Sequence, residues 1–409
     1  MNSDVDATEV DAVRTEVRGW LASNWKPELT VRAWWALVAE AGWQFPEWPN
    51  GLGGRALGPE ATAVVREEMA AAGTLGPPFN VGTILGGPVI CRHGTPAQQY
   101  ELLGGLALGT EAWCQFFSEP GAGSDLAGLS ARADVNSSTG AWQVNGQKVW
   151  SSGAHAADRA LLLVRTEHDV PRHGGLSLFI IDTDQPGVDI RPIRQMTGVA
   201  GHFNEVFLDD AFVPAGRLIG VRGGGWAVAS EILALERLAL NVRTPGLVWG
   251  TPGAGWGQLN LAAGDVVGRG PEASEYVANR AWVDARRLAT LTDPSTRSPL
   301  LGSQLAMLAA MDQLIAQTAA RRPVVPGGAN IAKLHKTIQS RLSAQIAGAS
   351  LGPHAQLMLD DATFVGELAH LQLVVPSFSI AGGTDEIQRN VLGERVLGLP
   401  REPNPGAQQ

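Results

Sequence analysis

Residues 116–125 read Phe-Phe-Ser-Glu-Pro-Gly-Ala-Gly-Ser-Asp, so a β-type aromatic pair leads directly into a glycine-rich loop. The small residues Gly121 and Gly123 let backbone N–H groups approach a flat or anionic ligand closely. The same loop is equally compatible with a tight structural turn. Because the stretch stands where a helical pattern ends and a β pattern begins, it marks a boundary in the fold.

Short β-type runs follow the loop and continue to about residue 210. They are rich in aliphatic and aromatic residues, at positions 142–145, 148–150, 160–164, 176–181 and 204–208. Asn145-Gly146 and Gln185-Pro186-Gly187 are turn signals, and we expect a turn at each. Because no helical pattern separates these runs, they predict an antiparallel β-domain.

Helical patterns flank the β region on both sides. Before it, apolar residues recur three to four positions apart, and Thr95 precedes a proline as the N-cap of a helix would. After it, the same periodicity predicts helices at 226–242, 272–291, 299–321, 328–351, 362–375 and 384–397. The chain thus reads as helices, then strands, then helices.

This order divides the 409 residues into three predicted domains. They are a helical N-terminal domain over 1–110, a β-domain over 111–221 and a helical bundle domain over 222–409. A doubly wound nucleotide-binding fold is excluded, since its strands and helices alternate. Six of the thirteen tryptophans precede residue 50, which predicts aromatic packing in the N-terminal domain.

Composition narrows the class of protein. The net charge of −9 argues against a nucleic-acid-binding surface. Two cysteines, Cys91 and Cys114, cannot build a disulfide framework and are expected to be reduced thiols. The sequence has no apolar run of about 18 residues, so no membrane span is predicted. Residues 1–6 lack the features of a secretory signal. We therefore expect a cytoplasmic enzyme.

Two further motifs carry candidate chemistry. Residues 145–153 read Asn-Gly-Gln-Lys-Val-Trp-Ser-Ser-Gly, and an indole beside hydroxyl groups suits a planar aromatic cofactor, although a core tryptophan is the alternative. Residues 381–390 read Ala-Gly-Gly-Thr-Asp-Glu-Ile-Gln-Arg-Asn, in which Thr384 is a predicted N-cap. A helix N-terminus is a ready site for an anion or polar ligand, or simply a good helix start.

Taken together and in this order, the three motifs resemble the acyl-CoA dehydrogenase family over about residues 10–401. Gln-Met-Thr-Gly at 195–198, followed by Phe-Asn-Glu-Val at 203–206, resembles a subgroup of bacterial lipid and sterol side-chain catabolism. The resemblance implies an α+β fold with an N-terminal all-α domain, a middle antiparallel β-domain and a C-terminal four-helix bundle.

The resemblance also implies an activity, a cofactor and partners. The reaction is α,β-dehydrogenation of an acyl-CoA thioester to the trans-2-enoyl-CoA, with FAD bound without a covalent bond. The implied electron acceptor is an electron-transfer flavoprotein. The implied assembly is a homotetramer or dimer, or an α2β2 complex with a paralogue.

Residue by residue, the motifs carry over a cofactor site and a substrate site. The implied FAD contacts are Gln115, Phe116, Phe117, Ser118, Gly123, Ser124, Trp150, Ser151, Ser152, Gln345, Gly348, Thr384, Asp385 and Glu386. The implied substrate contacts are Ser124, Arg237 and Gly383.

The resemblance also implies that a carboxylate removes the α-proton of the substrate, and such a base must lie within hydrogen-bond reach of that proton. Many family members have a Glu directly before the Gly-Thr of the third motif, where this chain has Gly382. Another group places the base in a Glu-Arg pair on another helix, and Glu236-Arg237 matches that pair. Leu233, Glu236 and Leu240 share a helix face, so we expect Glu236 to be desolvated, with a raised pKa, and to act as the base. The alternative is an exposed pair on a solvated face.

Two other readings stay open. A non-catalytic or co-catalytic subunit of a heterotetramer is favoured by Gly382 and opposed by Glu236. A relative with the same site could instead pass electrons to O₂ as an oxidase. The Arg-x-x-Phe-Gly segment that often meets the FAD pyrophosphate in this family is absent from the sequence, and Arg297 is a candidate replacement.

Overall fold

The computed structural model describes residues 3–196, 203–239, 248–249, 258–267, 284–295, 297–321, 326–356 and 364–401. The chain divides into two compact units, and one of the boundaries between them falls within a helix, between Leu235 and Glu236. The first unit holds the N-terminal helices together with the sheet, and the second holds the C-terminal helices. The predicted domain boundaries near residues 110 and 221 stay predictions.

The helices occupy both ends of the chain, as the periodicity predicts. The described helices are α1 Ser3–Asn24, α2 Val31–Glu40, α3 Pro59–Ala71, α4 Gly87–His93, α5 Pro96–Ala107, α6 Gly225–Ala239, α7 Ala263–Val266, α8 Ala285–Ala289, α9 Pro299–Arg321, α10 Gly328–Leu351, α11 Phe364–Phe378 and α12 Asp385–Asn390. A π-helical segment, Val391–Val396, continues α12. None of these helices is long and apolar enough to cross a membrane.

Helix starts follow the predicted capping chemistry. The Thr95 side chain accepts a hydrogen bond from the Gln98 backbone N–H, and the Gln98 side chain in turn accepts one from the Thr95 N–H. This capping box satisfies two N–H groups that a helix terminus leaves free. The N-cap predicted at Thr95 is therefore confirmed.

Tryptophans fill the core of the N-terminal helices. Trp34 and Trp35 on α2 are fully buried, and their indole N–H groups donate to the carbonyl oxygens of Leu75 and Gly76, each at 2.8 Å. The Trp25 ring lies edge-on to Trp34, with 4.6 Å between the ring centroids. The predicted aromatic core is confirmed.

Replacing Trp34 by phenylalanine should destabilise the protein by about 2–4 kcal/mol, because it opens a cavity and leaves the buried Leu75 carbonyl without its donor. Urea unfolding followed by circular dichroism measures the change. Tyr100→Phe on the exposed face of α5 is the matched aromatic control. Equal stability of the Trp34 and Tyr100 variants would contradict this account of the core.

The strands form one main sheet and one small pairing. The described strands are β1 Pro78–Phe79, β2 Trp113–Phe116, β3 Arg132–Val135, β4 Trp142–Ser152, β5 Arg159–Arg165, β6 Leu176–Asp182, β7 Val188–Pro192, β8 Phe203–Val213, β9 Leu218–Ile219 and β10 Val248–Trp249. The main sheet has the order β7-β8-β4-β3-β5-β6-β9, and β1 pairs with β10 outside it.

The main sheet is largely antiparallel, as predicted, but two of its pairings are parallel. Strand β3 meets β5 in parallel at Arg132, opposite Arg165. Strand β2 pairs with β5 in parallel, from Trp113 opposite Arg159 to Phe116 opposite Leu162. A parallel pairing needs a long connection between the two strands, and β3 and β4 lie in that connection. The glycine-rich loop after β2 therefore leaves the sheet beside β5.

The predicted turn at Asn145-Gly146 is wrong, because β4 runs through both residues as one strand. The register between β4 and β8 shifts between Val144 and Gly146, which is a β-bulge. Gly146 has φ +152°, and a Cβ there would collide with Ala131. Glycine at this position thus serves a close approach to Ala131 rather than a hairpin turn.

The second unit has its own hydrophobic core, formed by α8, α9, α10 and α11. Leu308, Ile346 and Leu368 are fully buried in it. The observed bounds of α9 and α10 coincide with the predicted helices at 299–321 and 328–351. Most of the helix predicted over 272–291 lies outside the described residues, as do residues 240–242 of the helix predicted over 226–242.

Candidate active site

The first motif forms a short hairpin at the end of β2. Glu119 and Ala122 exchange backbone hydrogen bonds of 3.0 and 3.1 Å across its tip. Gly121, Gly123 and Ser124 are exposed, and nothing lies within 4 Å of the place where a Cβ would stand on either glycine. The loop thus presents bare backbone and one hydroxyl.

The side chains before this hairpin differ in where they point. Gln115 and Ser118 are half-buried. Phe116 is buried in the core of the sheet, and Phe117 is buried where the N-terminal helices pack against it. Among the predicted cofactor contacts, these two phenylalanines therefore offer backbone atoms rather than side chains.

The second motif carries Trp150 on a second bulge of β4. The register with β8 shifts between Lys148 and Ser151, and Trp150 adopts the left-handed conformation with φ +62°. A bulky residue seldom adopts this conformation unless its surroundings hold it there. Trp150 is 58% exposed, and its ring makes a T-shaped contact with the ring of Phe203, with 5.7 Å between the ring centroids. The structure thus holds a flat aromatic surface open to solvent.

The two serines after Trp150 point differently. Ser152 is half-buried, whereas Ser151 is buried. The Ser151 carbonyl accepts a 3.0 Å hydrogen bond from the Asn204 side chain, which fixes the strand beyond the bulge. The Ser151 hydroxyl oxygen has no hydrogen-bond partner among the described residues.

A buried ion pair joins the first two motifs, and the sequence interpretation missed it. The Lys148 ammonium, with 0% of its side chain exposed, lies 2.9 Å from a carboxylate oxygen of Glu119. Burial lowers the pKa of Lys148 to about 8, although Glu119 opposes this shift. Burial by itself raises the pKa of the Glu119 carboxyl. The charge of Lys148 and the hydrogen bonds from the Ser130 and Ala131 N–H groups outweigh burial, so the pKa is lowered.

The third motif starts α12 as predicted. The Thr384 hydroxyl accepts a 3.3 Å hydrogen bond from the Ile387 N–H, which confirms the N-cap. Gly382 and Gly383 before it both have left-handed backbones, with φ +69° and +86°. The Gln388 side chain donates to both of their carbonyl oxygens and holds this turn.

The acidic residues that follow Thr384 point to different places. Asp385 is buried, and its carboxylate accepts a 2.6 Å hydrogen bond from the ammonium of Lys333 on α10. Glu386 is exposed, and a backbone hydrogen bond and one from Thr384 lower its pKa. Of these two predicted FAD contacts, Glu386 keeps its carboxylate accessible, whereas Asp385 is paired within the bundle.

Gln345 and Gly348 lie three residues apart on α10, and therefore on one face of that helix. Gln345 is exposed and Gly348 is half-buried. The Arg297 guanidinium donates to the carbonyl oxygens of Ala289 and Thr292 at the end of α8, and its predicted contact with the FAD pyrophosphate stays a prediction.

Helix α6 carries the predicted base. Ala229, Ile232 and Glu236 are spaced by three and four residues, so Glu236 continues the buried face of the helix. Glu236 is itself half-buried, and burial raises the pKa of its carboxyl, partly offset by Arg237. Leu240 lies outside the described residues. The carboxylate thus has the raised pKa that a general base needs.

The N-terminus of α6 is held tightly against the sheet. A Cβ on Gly225 would stand 2.6 Å from the backbone of Ser177 in β6, so only glycine permits this approach. The Gly223 N–H also donates to the Ser177 hydroxyl at 2.9 Å. The start of the helix that carries Glu236 is therefore fixed by backbone contacts.

The described part of the chain holds neither a candidate metal cluster nor an activated cysteine thiol. No three His, Cys, Asp or Glu side chains within it are grouped so that they could hold a metal ion. Burial raises the pKa of Cys91 to about 12 and raises the pKa of Cys114 as well, so neither thiol is activated as a nucleophile. Both cysteines are free.

Comparisons with known proteins identify the family. Family models described as "Acyl-CoA dehydrogenase, N-terminal domain" and "Acyl-CoA dehydrogenase, middle domain" match residues 7–110 and 114–211. Acyl-CoA dehydrogenase IpdE1 of Mycobacterium tuberculosis is 36% identical over 411 residues, which cover 96% of this chain and 99% of the relative.

Two solved structures share the fold. One is titled "Tcur3481-Tcur3483 steroid ACAD", with 22% identity, a TM-score of 0.66 and coverage of 97% of this chain and 98% of that one. The other is the ChsE4-ChsE5 complex from Mycobacterium tuberculosis, with 24% identity, a TM-score of 0.65 and coverage of 96% and 98%. This chain belongs to the acyl-CoA dehydrogenase family, whose members are oxidoreductases that act on acyl-CoA.

Proposed function

We propose that this chain is an FAD-dependent acyl-CoA dehydrogenase in which Glu236 removes the α-proton of the thioester. The observation that carries the proposal is the position of Glu236 on the buried face of α6, with a pKa raised by burial. Gly382, at the position where many relatives keep a carboxylate, has no side chain that could take this proton.

The described residues fit a flavin in two respects. The Trp150 indole is a flat, exposed surface of the kind on which a planar ring stacks. The open backbone at Gly121 and Gly123 leaves room for a ligand to approach closely. We propose that Gln115, Ser118, Ser124 and Ser152 face the same cofactor with their side chains, and that Phe116 and Phe117 contribute backbone atoms.

The residues of the second unit have separate proposed roles. Thr384 and Glu386, at the start of α12, are proposed to meet polar groups of the FAD, and Gln345 and Gly348 the FAD of a neighbouring subunit. Asp385 is proposed to act through its ion pair with Lys333, which fixes the start of α12.

The reaction removes two hydrogens from the acyl chain. A bound FAD would supply the acceptor for the β-hydrogen, which leaves the acyl chain together with its electron pair. Glu236 accepts the α-proton, so that the former C–H electron pair becomes the second bond of the α,β-double bond. Arg237 beside it balances the charge of the carboxylate, and Ser124 and Gly383 are proposed to contact the CoA ester. An electron-transfer flavoprotein is the proposed oxidant that returns the reduced enzyme to its oxidised form.

A second candidate function is a subunit that needs a paralogue for activity. Gly382 favours it, because the usual position of the base carries no side chain. Two structures with the same fold are titled as two-component proteins, Tcur3481-Tcur3483 and the ChsE4-ChsE5 complex. For this chain a heteromeric assembly is therefore the alternative to a homotetramer or dimer.

One experiment separates the two candidates. The chain is purified alone, its flavin content is measured, and anaerobic loss of the 450 nm flavin absorbance is recorded with short, long, branched and steroid-side-chain CoA esters. We expect bound FAD and bleaching by at least one ester class. FAD-poor protein that turns over no ester until a paralogue is added would support the second candidate instead.

A further inference from the structure

The buried ammonium of Lys148 has a complete set of acceptors. It donates to a Glu119 carboxylate oxygen at 2.9 Å and to the carbonyl oxygens of Phe117 and Leu163 at 3.1 and 2.7 Å. A lysine ammonium has three N–H donors, so each donor has one acceptor. No donor is left over for a ligand, which excludes direct contact between this ammonium and a cofactor.

The Glu119 carboxylate is equally well satisfied. Besides Lys148, one oxygen accepts the Ala131 N–H at 2.9 Å. The other oxygen accepts the N–H and the hydroxyl of Ser130 at 2.7 and 2.8 Å. The ion pair therefore joins four segments of the chain: the loop after β2, the segment before β3, strand β4 and strand β5.

Residues that form the ion pair or contact it lie next to two proposed flavin-facing residues, Ser118 and Trp150. Ser118 lies between Phe117 and Glu119, both of which Lys148 contacts. Trp150 follows Lys148 by two residues, and the Val149 N–H between them donates to the Ser118 carbonyl at 2.9 Å. A shift of Lys148 would therefore move both Ser118 and Trp150.

Fold stability alone gives a weak reason for such a pair. Taking two charges out of water is costly, and apolar residues of similar volume often serve a core as well or better. The left-handed backbone of Trp150 is a second unfavourable feature within two residues. The buried ion pair and the left-handed backbone of Trp150 both cost stability and lie within two residues of each other. We take this to indicate that they position the loop.

We propose that Lys148 and Glu119 are positioning residues that fix the Ser118 loop against the Trp150 bulge and so shape the surface that receives the flavin ring. This inference rests on the proposed function, because it assigns the positioned surface to FAD. It adds two residues, neither of which contacts the cofactor, to those that determine how tightly the cofactor is held.

The test compares the double variant Glu119→Gln/Lys148→Met with Val213→Ala. The double variant removes both charges at once, so that neither is left buried alone. Val213 is fully buried in the core of the main sheet. It lies at the end of β8 and pairs with Trp142, at the opposite end of β4 from the second bulge. Its truncation lowers stability without touching the ion pair.

Two readouts are measured at matched global stability: hydrogen exchange of peptides covering 115–131 and 146–153 in the FAD-free protein, and the FAD dissociation constant. For the double variant we expect exchange and the dissociation constant each to rise about tenfold or more, as for the loss of charged hydrogen bonds. Val213→Ala should leave the FAD dissociation constant at the wild-type value, and it should raise exchange only by the factor that its loss of global stability accounts for.

Wild-type exchange in the double variant, or faster exchange with an unchanged FAD dissociation constant, would overturn the inference. The exchange readout needs no cofactor, so it decides whether the pair positions the loop in either case. A wild-type chain that binds no FAD would instead contradict the proposed function, and with it the assignment of the positioned surface to a flavin.

Discussion

Glu236→Gln should lower the rate of flavin reduction by an acyl-CoA about 100- to 10,000-fold, the usual contribution of a general base. The amide is nearly isosteric with the carboxyl but cannot accept the α-proton. FAD content and the visible flavin spectrum should stay unchanged, because no cofactor contact is assigned to this side chain. Anaerobic stopped-flow absorbance at 450 nm measures the rate.

The pH profile gives a second signature of the same group. A base acts only when deprotonated, so the rate should fall as the pH drops through the pKa of Glu236. Burial raises that pKa, and the acid limb should therefore lie above 4.5, the ordinary value for a glutamate. An acid limb at the ordinary value would argue against Glu236 as the group that titrates.

Removal of this carboxyl should not destabilise the protein. Because the folded-state pKa is raised above the unfolded value, the ionised carboxylate lowers the stability at neutral pH, and this cost is relieved as the pH falls through the folded pKa. Thermal unfolding of Glu236→Gln at pH 7 should occur at the wild-type temperature or above it. If Glu236 serves function and not folding, Glu236→Gln should lose activity without losing stability.

The second large effect is expected at Gly225. A Cβ there would stand 2.6 Å from the Cα and carbonyl carbon of Ser177 and 2.7 Å from the Leu178 nitrogen, all backbone atoms that no side-chain rotation can move. Gly225→Ala should therefore push the start of α6 away from β6 and destabilise the protein by about 1–3 kcal/mol. Urea unfolding measures this loss.

The same substitution should also reduce activity. Displacement of α6 moves Glu236 at its other end, and a misplacement of about 1 Å can cost roughly 100-fold in rate. Gly104→Ala in α5 is the matched control, because nothing lies within 4 Å of its Cβ position and alanine favours a helix. Gly225→Ala with wild-type stability and a wild-type rate would show that the close approach does not position the helix.

The order of helices and strands could be predicted from the sequence because it depends on local periodicity. Helices α9 and α10 have apolar residues at helical spacing and were predicted to the residue. The N-caps at Thr95 and Thr384 follow from side-chain chemistry within one turn. Such features need no knowledge of distant contacts.

Features that depend on distant contacts were missed. Asn-Gly is typical of a hairpin turn, but at 145–146 it forms a bulge because Ala131 packs against the glycine. The Lys148–Glu119 pair joins residues 29 positions apart, and lysine is rarely buried unless it is paired. The one signal in the sequence was a single charged residue within a strand whose other residues are all uncharged.

Glu236 is proposed to remove the α-proton, and proton exchange tests this step without hydride transfer. The chain is incubated in D₂O with a CoA thioester whose β-carbon is replaced by sulfur, so that no β-hydrogen can leave, and α-deuterium incorporation is followed by NMR. We predict exchange catalysed by the wild type and slowed at least 100-fold in Glu236→Gln. Exchange at the wild-type rate in Glu236→Gln would contradict the claim.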